Sequence, residues 1–148
     1  MRSVAASKMR KTQDRRDQIK PYAHHLQKIV ANVVRSVGSE GQPLMQKREG
    51  GRRLVVIFSS DRGLCGAFNN TIIRFAEEYL KSAGDYEIYA VGKRGGDYFR
   101  KHGYPLHRIQ ADFRGNIILD RIQEIAEEIK KAFLDGGFSA IDLIYNRA

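Results

Sequence analysis

The run Ser59-Ser60-Asp61-Arg62-Gly63-Leu64-Cys65-Gly66-Ala67-Phe68 concentrates the groups that could do chemistry: two hydroxyls, an acid beside a cation, a thiol and two glycines. A serine or cysteine in such a turn becomes a nucleophile when a base stands next to it. No histidine or second acid lies nearby in sequence, so Asp61 and Arg62 read as a structural ion pair or as loop anchors. Cys65, among small residues, reads as a packed small hydrophobe. Phosphate binding fits poorly, because the run lacks both G-x-G-x-x-G and Gly-Lys-Ser/Thr and places Asp61 where a phosphate would be repelled. Gly92-Lys93-Arg94-Gly95-Gly96 is the better anion trap, with two cations at a helix start, the alternative being a solvated capping turn. His24 and His25 are adjacent and point to different helix faces, unlike the i, i+4 pair that binds metal, and His102 and His107 flank a turn. One cysteine and four scattered histidines offer no disulfide within the chain and no zinc spacing. No cofactor is expected.

The elements that must hold these groups follow from hydrophobic patterning. Leu54-Val55-Val56-Ile57-Phe58 is a continuous apolar run, as in a strand buried on both faces. After the turn, Phe68, Ile72, Phe75, Ala76 and Tyr79 recur at helical spacing and predict one inward face. Tyr86–Val91 reads as a second strand, followed by a short helix to Lys101, and Leu106–Gln110 as a third. Ile118, Ile122, Ile125, Ile129 and Phe133 predict a helix over Asn116–Leu134, and Ala140–Tyr145 reads as a last strand. Strands alternating with helices imply a mainly parallel sheet, an α/β Rossmann-like domain over 53–148.

The first 38 residues are of another kind. A four-three step visits Ala5, Met9, Thr12, Arg16, Ile19, Ala23, Leu26, Val30, Val33 and Val37, of which eight are apolar, so the segment carries a coiled-coil seam. Pro21 either bends this helix or splits it in two. Unbroken, it would reach about 52 Å, beyond any compact domain that the rest could form. Residues 39–52, rich in glycine and polar side chains, read as an exposed connector. Residues 1–37 hold nine basic residues against two acids and so carry seven of the nine net positive charges. Such a segment suits an acidic protein surface, nucleic acid or anionic lipid. Only Tyr22 could stack on a base, which leaves a basic nucleic-acid- or anion-binding module as the second reading. No run is long and apolar enough to span a bilayer, and the start lacks the core of a signal peptide, so a soluble, non-secreted chain is expected.

Asp61-Arg62-Gly63-Leu64-Cys65-Gly66, preceded by Ser60, closely resembles the central motif of the gamma subunit of F-type ATP synthases. Val4-Ala5-Ala6-Ser7-Lys8-Met9-Arg10-Lys11 resembles that family's first helix. Two matches in order make the resemblance specific and extend it over nearly the whole chain. It implies a long N-terminal helix, a central Rossmann-like domain and a second long helix that pairs with the first. It also implies a non-catalytic rotor subunit, working inside the ring of alpha and beta subunits, with the epsilon subunit and the membrane c-ring at its foot. Catalysis would lie on the beta subunits, and the location would be peripheral, on the cytoplasmic face of a bacterial inner membrane. Lys8, Arg10, Lys11 and Arg15 align with the basic stretch that passes the acidic lever loops of the beta subunits. The motif Asp61–Gly66 would serve the fold of the domain.

The chain departs from the family pattern at both ends, beginning inside the first helix and stopping after Ala148. The resemblance therefore implies a fragment that folds as the α/β domain without coupling rotation to catalysis. Its seam, lacking the second helix, is expected to self-associate, pack on a neighbour or lose order.

Overall fold

The computed structural model describes residues 2–38, 41–113 and 118–146. The chain divides into two compact units, Met1–Met45 and Gln46–Ala148. In the first, helix α1 (Arg2–Val37) runs through Pro21 without a break. Pro21 has no N–H to give to the Asp17 carbonyl, so one rung of the helix is missing there, yet it is continuous on both sides. Its 36 residues correspond to about 54 Å. Gly38, at φ 73°, ends it as expected, its N–H bonded to the Val34 carbonyl at 3.0 Å. From Val4 to Ser36 every side chain is exposed except half-buried Val34.

The second unit is a sheet with helices on both faces. Strands β1 (Arg53–Phe58), β2 (Tyr86–Val91), β3 (Leu106–Gln110) and β4 (Ala140–Ile144) are all parallel, in the order β3-β2-β1-β4. Helices α2 (Phe68–Leu80), α3 (Lys93–Lys101) and α4 (Ile118–Leu134) connect them. This is the expected α/β Rossmann-like architecture, preceded by a long helix. The apolar run of β1 takes the inner position and is divided between two cores. Val55 and Ile57 pack with Ile88, Ala90, Ile144, the inner residues of α2 and Phe99 of α3, while Leu54 and Val56 pack with Tyr89, Val91, Ile125 of α4 and Phe138. The return from β3 to β4 passes over the face opposite α2 and α3, as right-handed crossovers require.

Three expectations need correction. On α2 the buried residues are Ile72, Ile73, Ala76 and Leu80, whereas Phe68 and Phe75 are 43% and 62% exposed. Ala76, fully buried, seats the helix close to the sheet, and Ile73 and Leu80 rather than the larger rings fill the inner positions. On α4, Ile125 and Phe133 are buried and Ile129 half-buried, but Ile122 is exposed. The expected start of that helix at Asn116 and the side chain of Ile118 lie outside the described residues. The connector is also less open than its composition suggests: Arg48 Nη1 donates to the carbonyls of Phe133 and Phe138 at 2.5 and 2.9 Å, its guanidinium 4.3 Å from the Phe133 ring centre.

Arg53 fastens the β4 side of the sheet, its Nε and Nη2 donating to the Asp142 carboxylate at 2.8 and 2.9 Å. Burial pushes the Asp142 carboxyl up, but the hydrogen bonds with Arg53 and Tyr79 outweigh it and hold the group below the usual range. A depressed carboxyl stabilises the fold above its unfolded pKa and loses that contribution as pH falls through the folded value. Asp142→Asn should therefore cost about 1–2 kcal/mol at neutral pH. The gap to wild type should narrow below about pH 4. Urea unfolding of both proteins at pH 7 and pH 3 checks this, and an equal gap at both would show that Arg53 does not sense the charge.

Candidate functional site

The turn after β1 is built from the chemical groups singled out in the sequence, and the structure uses them as fasteners. Asp61 Oδ1 accepts the Lys93 N–H at 2.9 Å, at the start of α3, and Oδ2 accepts the Phe113 N–H at 2.7 Å, beyond the end of β3. Ser59 Oγ accepts the Gly95 N–H at 2.9 Å. The α3 N-terminus, where Gly92–Gly96 offered an anion trap, is thus filled by the chain's own carboxylate and hydroxyl. Asp61 anchors the loop by hydrogen bonds, and it forms no ion pair among the described residues. Behind it, Ser60 N–H donates to Asn69 Oδ1 at 3.0 Å, Asn69 Nδ2 to Ser60 Oγ at 2.9 Å, and Ser60 Oγ to the Arg62 carbonyl at 2.5 Å.

The tip of the turn faces outward. Arg62, Leu64, Cys65 and Gly66 are exposed and Gly63 half-buried. Leu64 sits at φ 60°, a conformation side-chain-bearing residues rarely adopt, and Gly66 at φ 57°. Gly63 passes so close to Arg94 that an added Cβ would lie 2.5 Å from Nη2. Cys65 is not the packed small hydrophobe expected: its thiol is exposed and makes only sulfur contacts of 3.5 Å to the Arg62 and Gly63 carbonyls. The tight bends at Leu64 and Gly66 lift it away from the sheet, where no core atoms remain to cover it. Ser60 Oγ, 3.7 Å away, is the nearest hydroxyl, and no histidine or second carboxylate completes a catalytic pair among the printed contacts of either group.

The other sites are equally free of acid–base chemistry. An open pocket of about 500 Å³ lies between α2 and the start of β2, lined by Arg74, Glu77, Tyr86 and Tyr104 among others. Tyr98 and Tyr104 hydroxyls both donate to Glu77 Oε1, at 2.8 and 3.0 Å. Burial, with the Glu77 bond added, pushes the Tyr104 phenol up to about 12, so it stays a neutral donor at physiological pH. Among the described residues, no group of three or more His, Cys, Asp or Glu could hold a metal.

On α1 the predicted binding residues stand unengaged. Lys8, Arg10, Lys11 and Arg15 are all exposed, and none has an ion-pair partner among the described residues, the salt bridge on this helix joining Arg16 to Asp17. Lys8, Lys11 and Arg15, spaced three and four apart, share one face, while Arg10 projects elsewhere. The seam is uncovered too: Ala5 and Ala23 are exposed, and Met9, Ile19, Leu26, Val30 and Val33 are 46–63% exposed. The side chain of Val37 lies outside the described residues. Val4 and Ile29 were missed by the strict four-three step yet are also about as exposed, and reading a broader stripe would have included Ile29, three residues after Leu26 and four before Val33.

A helix that buries nothing of its own, joined to a sheet unit without catalytic apparatus, frames the comparison with known proteins. The family model described as ATP synthase matches residues 1–148, the whole chain, and the chain is 38% identical over 99% of its length to the ATP synthase gamma chain of Chlorobaculum tepidum. The chain belongs to the ATP synthase gamma-chain family. Gamma chains of Amoebophilus asiaticus and Moorella thermoacetica are 36% and 34% identical, again over 99% of this chain. The chain spans about half the length of the curated relatives it matches, 53% of the first and 52% of the other two. No helix of the described residues of this gamma-chain family member is long and apolar enough to cross a membrane.

Proposed function

We propose that this chain serves as part of the non-catalytic central stalk, the rotor, of a proton-translocating F-type ATP synthase. The observation that carries the reading is α1, a continuous helix of 36 residues whose apolar seam and unpaired cations are both exposed. Exposed apolar area of that kind is stabilised only by a partner, and the 3.5-residue repeat fits a second helix. Lys8, Arg10, Lys11 and Arg15 would meet the acidic lever loops of the beta subunits, where catalysis lies, inside a ring shared with the alpha subunits. The epsilon subunit and the membrane c-ring would complete the rotor, at the cytoplasmic face of a bacterial inner membrane.

Gel filtration with purified alpha and beta subunits at two salt concentrations tests this. Co-elution is expected. Replacing Lys8, Arg10, Lys11 and Arg15 together with alanine should weaken it by about tenfold or more at low salt, since exposed charges mainly steer and are screened. Salt-dependent binding of a DNA or RNA oligomer without any subunit binding would overturn the proposal in favour of a nucleic-acid module.

A further inference from the structure

The sheet ends in two open edges, and they are built differently. At β3, Pro105 precedes the strand, the register with β2 is irregular at Ile88/Tyr89, and His107 and Arg108 are exposed. Each of these features discourages another strand from pairing there. At β4 the register with β1 is unbroken from Ala140 to Ile144, with no proline and no lysine. Its single charged residue, Asp142, is held by Arg53 within the sheet. Alternation places Ile141, Leu143 and Tyr145 on one face, where Ile141 joins the core beside α4 while Leu143 and Tyr145 are 55% and 63% exposed.

We propose that the β4 edge pairs with the β4 edge of a second copy of this chain, antiparallel about a two-fold axis at Leu143. The charge pattern selects this occupant: the chain carries a net charge of +9, but this edge is neutral and apolar, so two copies can meet here without repulsion at the contact. A register centred on Asp142 would set two carboxylates against each other. Centring on Leu143 instead opposes the two leucines, sets Ile141 against the partner's Tyr145 and leaves Asp142 facing the partner's Ile144. An isologous contact of this kind closes at two copies.

Light scattering on the 148-residue chain over a range of concentrations, with hydrogen exchange of the β4 amides, is the test. A dimer mass is expected, with exchange at Ala140–Ile144 slowing as concentration rises. Leu143→Lys should halve the mass with circular dichroism unchanged, because Leu143 is already half-exposed. A seam variant, Leu26→Lys with Val30→Lys, should leave the β4 protection in place. The proposal is overturned if the chain is monomeric throughout, if β4 exchange is independent of concentration, or if only the seam variant abolishes association. Should Leu143→Lys unfold, the concentration dependence of wild-type exchange decides alone.

Discussion

Gly92→Ala is expected to lower the stability of the sheet unit by about 3 kcal/mol, combining roughly 1–3 kcal/mol of backbone strain with a similar cost of overpacking. Gly92 lies at φ 103° and ψ 138°, a region closed to side-chain-bearing residues. An added Cβ would fall 2.2 Å from the Ser59 carbonyl oxygen and 2.6 Å from its carbon, which are backbone atoms that cannot swing aside. Nor can the chain shift locally, because the Gly92 N–H is bonded to the Gln110 carbonyl at 2.8 Å and the Ser59 N–H to the Val91 carbonyl at 2.7 Å. Gly84→Ala is the control. It shares a positive φ of 75° but has nothing within 4 Å of the added atom, so only the conformational cost of about 1–2 kcal/mol remains. Urea unfolding of the two variants should separate their midpoints, and equal losses would show that the Ser59 contact relaxes.

Asp61→Ala should cost about 2 kcal/mol. Two charge-assisted bonds would suggest more, at about 1.5–3 kcal/mol each. The Lys93 bond is exposed, however, and water can replace it, so most of the loss comes from the part-buried Phe113 N–H. Asp61→Asn should lose nearly as much, since the amide keeps one accepting oxygen for two donors on opposite sides. A loss below about 0.5 kcal/mol in both variants would mean that water satisfies both N–H groups. Hydrogen exchange at Phe113 should rise in either variant even where global stability changes little.

How much of this was legible in the sequence differs by element. The strands were, because Leu54–Phe58 and Tyr86–Val91 are short, β-rich and bounded by turn residues, and no competing pattern overlapped them. The roll of α2 was not: Phe68 and Phe75 fit the helical period as well as Ile73 and Leu80 do, and only the sheet against which they pack decides between them. For the turn, sequence supplied the right residues and the right class of role, and the contacts of Asp61 stayed hidden because its partners lie 32 and 52 positions away. The exposure of Cys65 depends on φ angles at Leu64 and Gly66, of which only the glycine announces itself. Arg48 looked like any charge in a polar connector, since nothing local marks a side chain that will reach two carbonyls after α4.

The strand order has a bearing on synthesis at the ribosome. β1 is the first strand to be made, yet one of its two neighbours is β4, which follows roughly 80 residues later. At about 5–20 residues per second, Leu54–Ile57 would wait on the order of 4 to 16 seconds with one edge unpaired. The β2 side can zip at once, whereas the side facing β4 is a nascent-chain hazard that a trigger-type chaperone, or simply fast elongation, would need to cover.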